Sequence, residues 1–326
     1  MYRRMWSAFM RSRCLSSWDP FQFQKREAFE AAVPAMQTLA DYLQSCSKKN
    51  YDQDCLSSTL ETVLQMSLWA NRSDLSISSE STKHAHVSFL NRLSDLSNNI
   101  LVNQLSDLVN YLLDMKNYNN VSPRDNNDVR IDIVLDNAGL ELFSDLCLAD
   151  LLLRCQLASV VYLHYKIMPW FVSDTTSDDL AFTFQSLNNH SDALLAELGS
   201  RWLKLRKEGQ LVLKTNTFWT LPYGYFRMAE KAPELHRDLA QSDLIIFKGD
   251  LNYRKLMNDL DCPSTFPFVD GLQGFRPSSL AALRTLKANL VTGMKPGQAE
   301  QVELSAGSHW QLTGQFAVIQ FLNRHL

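Results

Sequence analysis

Three short hydrophobic runs stop abruptly in clusters of acidic and amide residues: Ile131 to Leu135 before Asp136-Asn137, Pro169 to Val172 before Ser173-Asp174, and Leu244 to Phe247 before Lys248-Gly249-Asp250. In an open α/β sheet, ligands bind outside the carboxyl ends of the strands, so three such endings can converge on one pocket.

The rest of the chain supports that architecture. Phe29, Val33, Met36 and Leu43 recur at helical spacing, with Pro34 expected to bend or interrupt the segment, and Leu56, Leu60, Val63 and Leu64 repeat the pattern toward Trp69. Ser73 to His86 reads as a polar loop, and Val87 to Met115 as a third helical stretch broken near Asn98-Asn99. Lys116 to Arg130 is aperiodic and rich in turn formers, which makes it the candidate boundary. Beyond it, β-rich runs (Ile131 to Leu135, Val160 to Leu163, Leu211 to Leu213, Leu244 to Phe247, Phe316 to Phe321) alternate with helical stretches near Leu140 to Cys155, Asp178 to Lys207 and Pro233 to Gln241. The expectation is an α/β fold: a mainly parallel, Rossmann-like sheet flanked by helices, with an all-helical N-terminal layer. Its division is a helical region over 1–128 and an α/β domain over 129–326.

Composition narrows the function. With 326 residues, 45% hydrophobic, the chain can build two ordinary domains or one large one with an added layer. A net charge of −3 creates no field that would gather nucleic acid or an acidic membrane surface. No apolar stretch approaches the roughly 20 residues that span a bilayer. Small ligands or protein partners are the expected partners. Cys14, Cys46, Cys55, Cys147, Cys155 and Cys262 contain no C-x-x-C pair, which fits reduced thiols of an intracellular protein. Residues 1–18 carry Arg3, Arg4, Arg11 and Arg13 without an acid, a pattern shared by transit peptides and by ordinary amphipathic helices such as Tyr2, Trp6 and Phe9 would make.

At the strand endings, Asp136 and Asn137 offer a hard divalent cation a carboxylate and an amide oxygen, and Gly139 lets the chain turn into a helix. Asp-Asn-Ala-Gly is equally a good turn. Glu141 falls in the first turn of the next helix, where the dipole favours a carboxylate, and Asp174 precedes another helix, where capping would use it. Lys248, Gly249, Asp250, Asn252 and Arg254 form the densest cluster: lysine and arginine suit phosphate oxygens, Asp250 and Asn252 sugar hydroxyls or a water. Arg284 and Lys287 can add positive charge. The seven histidines form no HExxH, which argues against a zinc hydrolase of that type.

The blocks IDIVLDNAGLEL, KIMPWFVSDTTSDDL, FWTLPYGY, LIIFKGDLNYRKL, GLQGFRP and RTLKA together resemble the damage-control phosphatase family, in the sugar-phosphate branch whose members also carry the name protein-glutamate O-methyltransferase. The resemblance covers most of the chain. It implies that Asp136, Asn137 and Asp174 hold a divalent metal (manganese, nickel, cobalt or magnesium), that Asp250, Leu251, Asn252, Tyr253, Arg254 and Lys287 contact substrate, and that Glu141 stands close by. Asp136, Asp174 and Asp250 are the expected catalytic residues. It further implies that the chain is shortened at its N-terminus, so that Met1-Tyr2-Arg3-Arg4 corresponds to an internal helix, and the transit-peptide reading falls.

The expected activity is metal-dependent hydrolysis of small sugar phosphates of the fructose 1-phosphate or fructose 6-phosphate type, in the cytoplasm or the nucleus. Direct attack by water is preferred to a phosphoenzyme on Asp136, because the position two residues on is Ala138 instead of a second acid. The rival is methyl transfer from S-adenosylmethionine to glutamate carboxylates of a protein substrate, in the same pocket through Asp136, Glu141 and Asp174. It ranks lower because the turn at 136–139 lacks a glycine-rich loop and the basic cluster suits an anion.

Overall fold

The computed structural model describes residues 1–16, 18–47, 53–71, 91–121 and 129–324; the polar loop expected at 73–86 and the start of the stretch from Val87 lie outside them. At the centre are β1 (Ile100–Asn103), β2 (Arg130–Val134), β3 (Val160–Tyr165), β4 (Leu211–Thr215), β5 (Leu244–Lys248), β6 (Ser279–Thr285) and β7 (Ala317–Leu322), in the spatial order β1-β7-β6-β5-β2-β3-β4. β2 through β6 are mutually parallel, β7 is antiparallel to β6, and β1 runs parallel to β7. The chain moves outward from β2 to β3 and β4, then returns to lay β5 on the other side of β2. The reversal opens a crevice at the carboxyl ends of β2 and β5, where open α/β sheets take their ligands.

Side-chain alternation explains why the sheet sits between two layers. On β5, Leu244 and Ile246 enter one apolar cluster, and Ile245 and Phe247 enter the other. Every residue of β2, β5 and β6 is buried. Strands covered on both faces read as continuous apolar runs, which is why β2 and β5 are legible. One layer holds the helices Gln22–Ser47, Gln53–Trp69, Leu140–Arg154, Ser177–Asn188 and Ala193–Lys207. Its cluster runs from Phe29 to Ile319, and β1, the edge strand, comes from within the first 128 residues.

Several expectations are corrected. Pro169 to Val172 is no strand: β3 ends at Tyr165, and the 166–173 segment is a loop with Phe171 at φ 42° and Val172 at φ 72°. Pro169 also lacks the N–H that a central strand would need. Ile100 and Leu101, read as helix, begin β1, since an Ile-Leu-Val run finds an open edge on β7. β6, Ser-Leu-Ala-Ala-Leu-Arg-Thr, has little intrinsic strand character and is made a strand by its neighbours on both sides. The stretch from Asp178 to Lys207 is two helices, the second capped by Asp192, whose carboxylate accepts from the N–H groups of Leu194 and Leu195 at 3.0 Å each. Pro34 sits inside a continuous helix. The stretch of turn formers is helical through Val121.

None of the six cysteines, all within the described residues, is in a disulfide, and among the described residues no helix is long and apolar enough to cross a membrane.

Candidate functional site

Backbone hydrogen bonds bring the first two strand endings together. Past β2, the carbonyl of Asp136 accepts from Thr175 N at 2.8 Å, and Ala138 N donates to Ser173 O at 2.8 Å. Asn137 and Asp174 form an isolated antiparallel bridge between these bonds. The loop after β3 is thus folded back across the tip of β2. Thr176, not Asp174, caps the next helix: the Asp179 carboxylate accepts from Thr176 N at 2.9 Å and Thr176 Oγ1 at 2.7 Å. That frees the Asp174 side chain for other work. Gly139, at φ 78°, caps the helix that carries Glu141 in its first turn.

The side chains form a buried acidic cluster. Asp136, Glu141 and Asp174 are 7%, 4% and 2% exposed, low enough that each charge needs compensation. The Asn137 amide nitrogen donates to Asp136 Oδ2 at 2.7 Å and to Glu141 Oε2 at 2.9 Å, and its oxygen accepts from Ser173 Oγ. Lys166 Nζ lies 3.4 Å from Asp174 Oδ2 and donates to Leu135 O at 2.8 Å. Burial, then the charges of Glu141 and Asp174, push the Asp136 carboxyl well above the usual range. Burial likewise raises Asp174 to about 6 against the pull of Lys166. Negative charge is in surplus here.

The third ending divides its residues. Gly249, at φ 83°, brings bare backbone against Asp136: a Cβ there would lie 1.9 Å from Asp136 Oδ2. Lys248 turns toward the helical layer, its ammonium donating to Asp145 at 2.8 Å, Ser67 O at 2.8 Å and, within the acidic cluster, Glu141 at 3.1 Å. Asn252 turns inward, donating to the carbonyls of Val134, Leu135 and Lys248 and accepting from Tyr225 OH at 2.6 Å, so it braces the strand tips. Tyr253 is buried among Thr292 and Gln320. The helix Gly249–Leu256 carries Asn252 and Tyr253 on its inner side, whereas Asp250, Leu251 and Arg254 remain partly exposed. Asp250 accepts from Arg284 Nε at 2.8 Å and Lys287 N at 3.1 Å, and Arg254 pairs with Asp259 at 2.7 Å. Lys287 is exposed at the carboxyl end of β6.

A cavity of about 580 Å³ adjoins these residues, lined among others by Tyr2, Arg3, Trp170, Tyr223, Leu251, Arg254 and Lys255. Lys255 was not marked by the sequence. Its ammonium donates to the carbonyls of Phe218, Trp219 and Leu221 at 3.0–3.2 Å, and burial, with the charge of Lys166, draws its pKa down to about 7. Lys25 reaches in from the helical layer, donating to Asp174 O at 2.9 Å and Asp179 at 2.7 Å. Lys166 carried a usable signal, because it follows the run Val-Val-Tyr-Leu-His-Tyr at a strand's carboxyl end. Lys25 carried none.

Asp136, Asn137 and Asp174 have the chemistry of a hard-cation site: two buried carboxylates and an amide, all oxygen donors. Asp174 Oδ2 is buried and has the Lys166 ammonium at 3.4 Å in place of a close hydrogen bond. The Asn137 amide nitrogen faces Asp136 and Glu141 as a donor and its oxygen faces Ser173, so the amide would have to turn over to offer oxygen to a cation at these carboxylates. Among the described residues no three His, Cys, Asp or Glu side chains are grouped to hold a metal, so the fit depends on counting the amide.

Sheet order and crevice define an α/β protein with a buried acidic cluster at the carboxyl edge of its sheet. Comparison makes this specific: the chain belongs to the damage-control phosphatase ARMT1-like domain family, whose model matches residues 1–302. It is 40% identical over 325 residues to damage-control phosphatase ARMT1 of Xenopus laevis, covering 98% of this chain and 72% of that protein. The Mus musculus and Homo sapiens proteins of the same name are 38% and 36% identical, with the same coverage. A DUF89 family protein from Pyrococcus horikoshii superposes with a TM-score of 0.46 at 17% identity, over 87% of this chain and 72% of that one.

Proposed function

We propose that this phosphoric monoester hydrolase is a metal-dependent phosphatase of small sugar phosphates, of the fructose 1-phosphate or fructose 6-phosphate type. The observation that carries the reading is the gathering of three buried acids, Asp136, Glu141 and Asp174, at two zipped strand tips, where burial and neighbouring acids raise Asp136 and the Asp174 Oδ2 meets the Lys166 ammonium at 3.4 Å. A buried carboxylate cluster of this kind is costly unless a cation completes it.

Asp136, Asn137 and Asp174 would hold the divalent ion, which when bound supplies positive charge against the phosphate and a lowered pKa for a water. The protein's own groups do the remainder. Lys25 and the Thr176–Asp179 capping box fix the loop that presents Asp174. Asn252 and Tyr225 hold the tip carbonyls of β2 in place. Arg254 and Lys287, both with solvent access, are the cations available to the outer phosphate oxygens, and the cavity beside Arg254 has room for a sugar.

The test is phosphate release from a panel of sugar phosphates with manganese, cobalt, nickel or magnesium, before and after chelation. Hydrolysis lost on chelation and restored by one of these ions is expected. Equal turnover in the chelated protein would remove the metal. Phosphoenzyme trapped by rapid acid quenching would replace water attack with a covalent step on aspartate.

A further inference from the structure

The Asp250–Arg284 pair stands apart from the acidic cluster and has a different construction. Arg284 is fully buried at the end of β6, its guanidinium over the Tyr253 ring at 4.3 Å. Each nitrogen of that guanidinium has a partner. Nε donates to Asp250 Oδ1 at 2.8 Å and Nη2 lies 2.7 Å from the same oxygen, while Nη2 also donates to Ala288 O at 3.2 Å and Nη1 to Leu290 O. Asp250 Oδ1 in turn accepts from Lys287 N at 3.1 Å. The 286–290 segment is therefore clamped onto the first turn of the helix Gly249–Leu256, with Lys287 exposed at its crest.

We infer that Asp250 and Arg284 are positioning residues: they act on substrate through Lys287, by fixing the backbone from which its ammonium reaches a phosphate oxygen. This rests on the phosphatase reading and changes one part of it, because Asp250, expected to be catalytic, has a carboxylate oxygen already taken by three donors. A buried arginine in this role needs its planar fork, since two carbonyls and a carboxylate are held at once, which an ammonium cannot reproduce.

The experiment is a kinetic cycle with Asp250→Asn, Lys287→Ala and the double variant, with melting temperatures to establish folding and Arg284→Lys as a second probe of the clamp. Calorimetric binding of inorganic phosphate supplies a readout independent of turnover. A positioning role predicts that Asp250→Asn raises KM and weakens phosphate binding by about tenfold, with kcat within about twofold and its pH profile unmoved. In the double variant the loss should be no greater than for Lys287→Ala alone, because the clamp has nothing left to position. Loss of kcat at unchanged KM, or effects that multiply, would put Asp250 on the reacting group and overturn the inference. If the wild type binds phosphate but hydrolyses nothing, hydrolysis falls while the binding cycle still decides the clamp; if it binds no phosphate, both fall.

Discussion

Two aspartates four residues apart on the same stretch of chain are both buried, yet they live in opposite circumstances. Asp132, in the middle of β2, accepts from Arg130 Nε at 2.8 Å, Arg130 Nη2 at 2.9 Å, the Ser242 hydroxyl, and pairs with His164 Nε2 at 2.6 Å. Burial pushes its carboxyl up, but His164 and Arg130 outweigh that and leave it below the usual range. Asp136, just past the strand's end, accepts a side-chain hydrogen bond from the Asn137 amide, and its carboxyl is held well above the usual range by burial and neighbouring acids. A carboxylate satisfied by its own protein is structural. One that the fold buries among other acids is the kind of group the proposed metal site would use.

The largest effects that would break this contrast come from neutralising each residue. Asp136→Asn, and likewise Asp174→Asn, should reduce phosphate release by at least about a hundredfold with melting temperature held or raised. Asp132→Asn should leave turnover per folded molecule intact and cost about 3–5 kcal/mol of stability in urea melts, because the buried Arg130 guanidinium is left with Asp238 alone and His164 loses its carboxylate partner. An inactive but fully stable Asp132→Asn protein would invert the assignment. Next in size, a divalent ion at a hundredfold its Kd should stabilise the wild type by about 2.7 kcal/mol and leave Asp136→Asn unmoved in thermal melts. A shift of equal size in both would place the ion elsewhere.

Asp145 sharpens the comparison through pH. Burial raises its carboxyl to about 6 despite Lys248, so the folded protein keeps a proton that the unfolded chain sheds near 3.8. Between those values the native state binds more protons, and this contribution to stability declines as pH rises. Melting temperatures of the wild type and Asp145→Asn, followed from pH 4 to 7, should show that decline in the difference between them; parallel curves would refute it. The smallest effect expected is at Val172, a β-branched residue at φ 72° with a third of its surface exposed. Val172→Gly should stabilise by about 1 kcal/mol or less, the relieved strain exceeding the added chain entropy.

How much of this was legible depends on what each residue's neighbours do. β2 and β5 could be read because both faces are buried, leaving uninterrupted apolar runs, and their endings marked Asp136 and Asp250. β6 could not, because alanine and serine become strand only between two paired neighbours. The block from Lys248 to Arg254 divides in the fold: a helix starting at Gly249 points Asn252 and Tyr253 inward, and local spacing alone does not say which face meets the sheet. Lys25 lies 149 residues from the carbonyl it supports, a distance no local pattern spans. The residues of the acidic cluster were marked at the strand ends, whereas their bracing comes from elements far off in the chain.

Gly249 sets a boundary on what this crevice can become. With the backbone itself pressed against the Asp136 carboxylate, any other residue would displace the acid it touches. A library randomised at that position and selected for turnover should return glycine alone, because the main chain there leaves the acid no room to retreat.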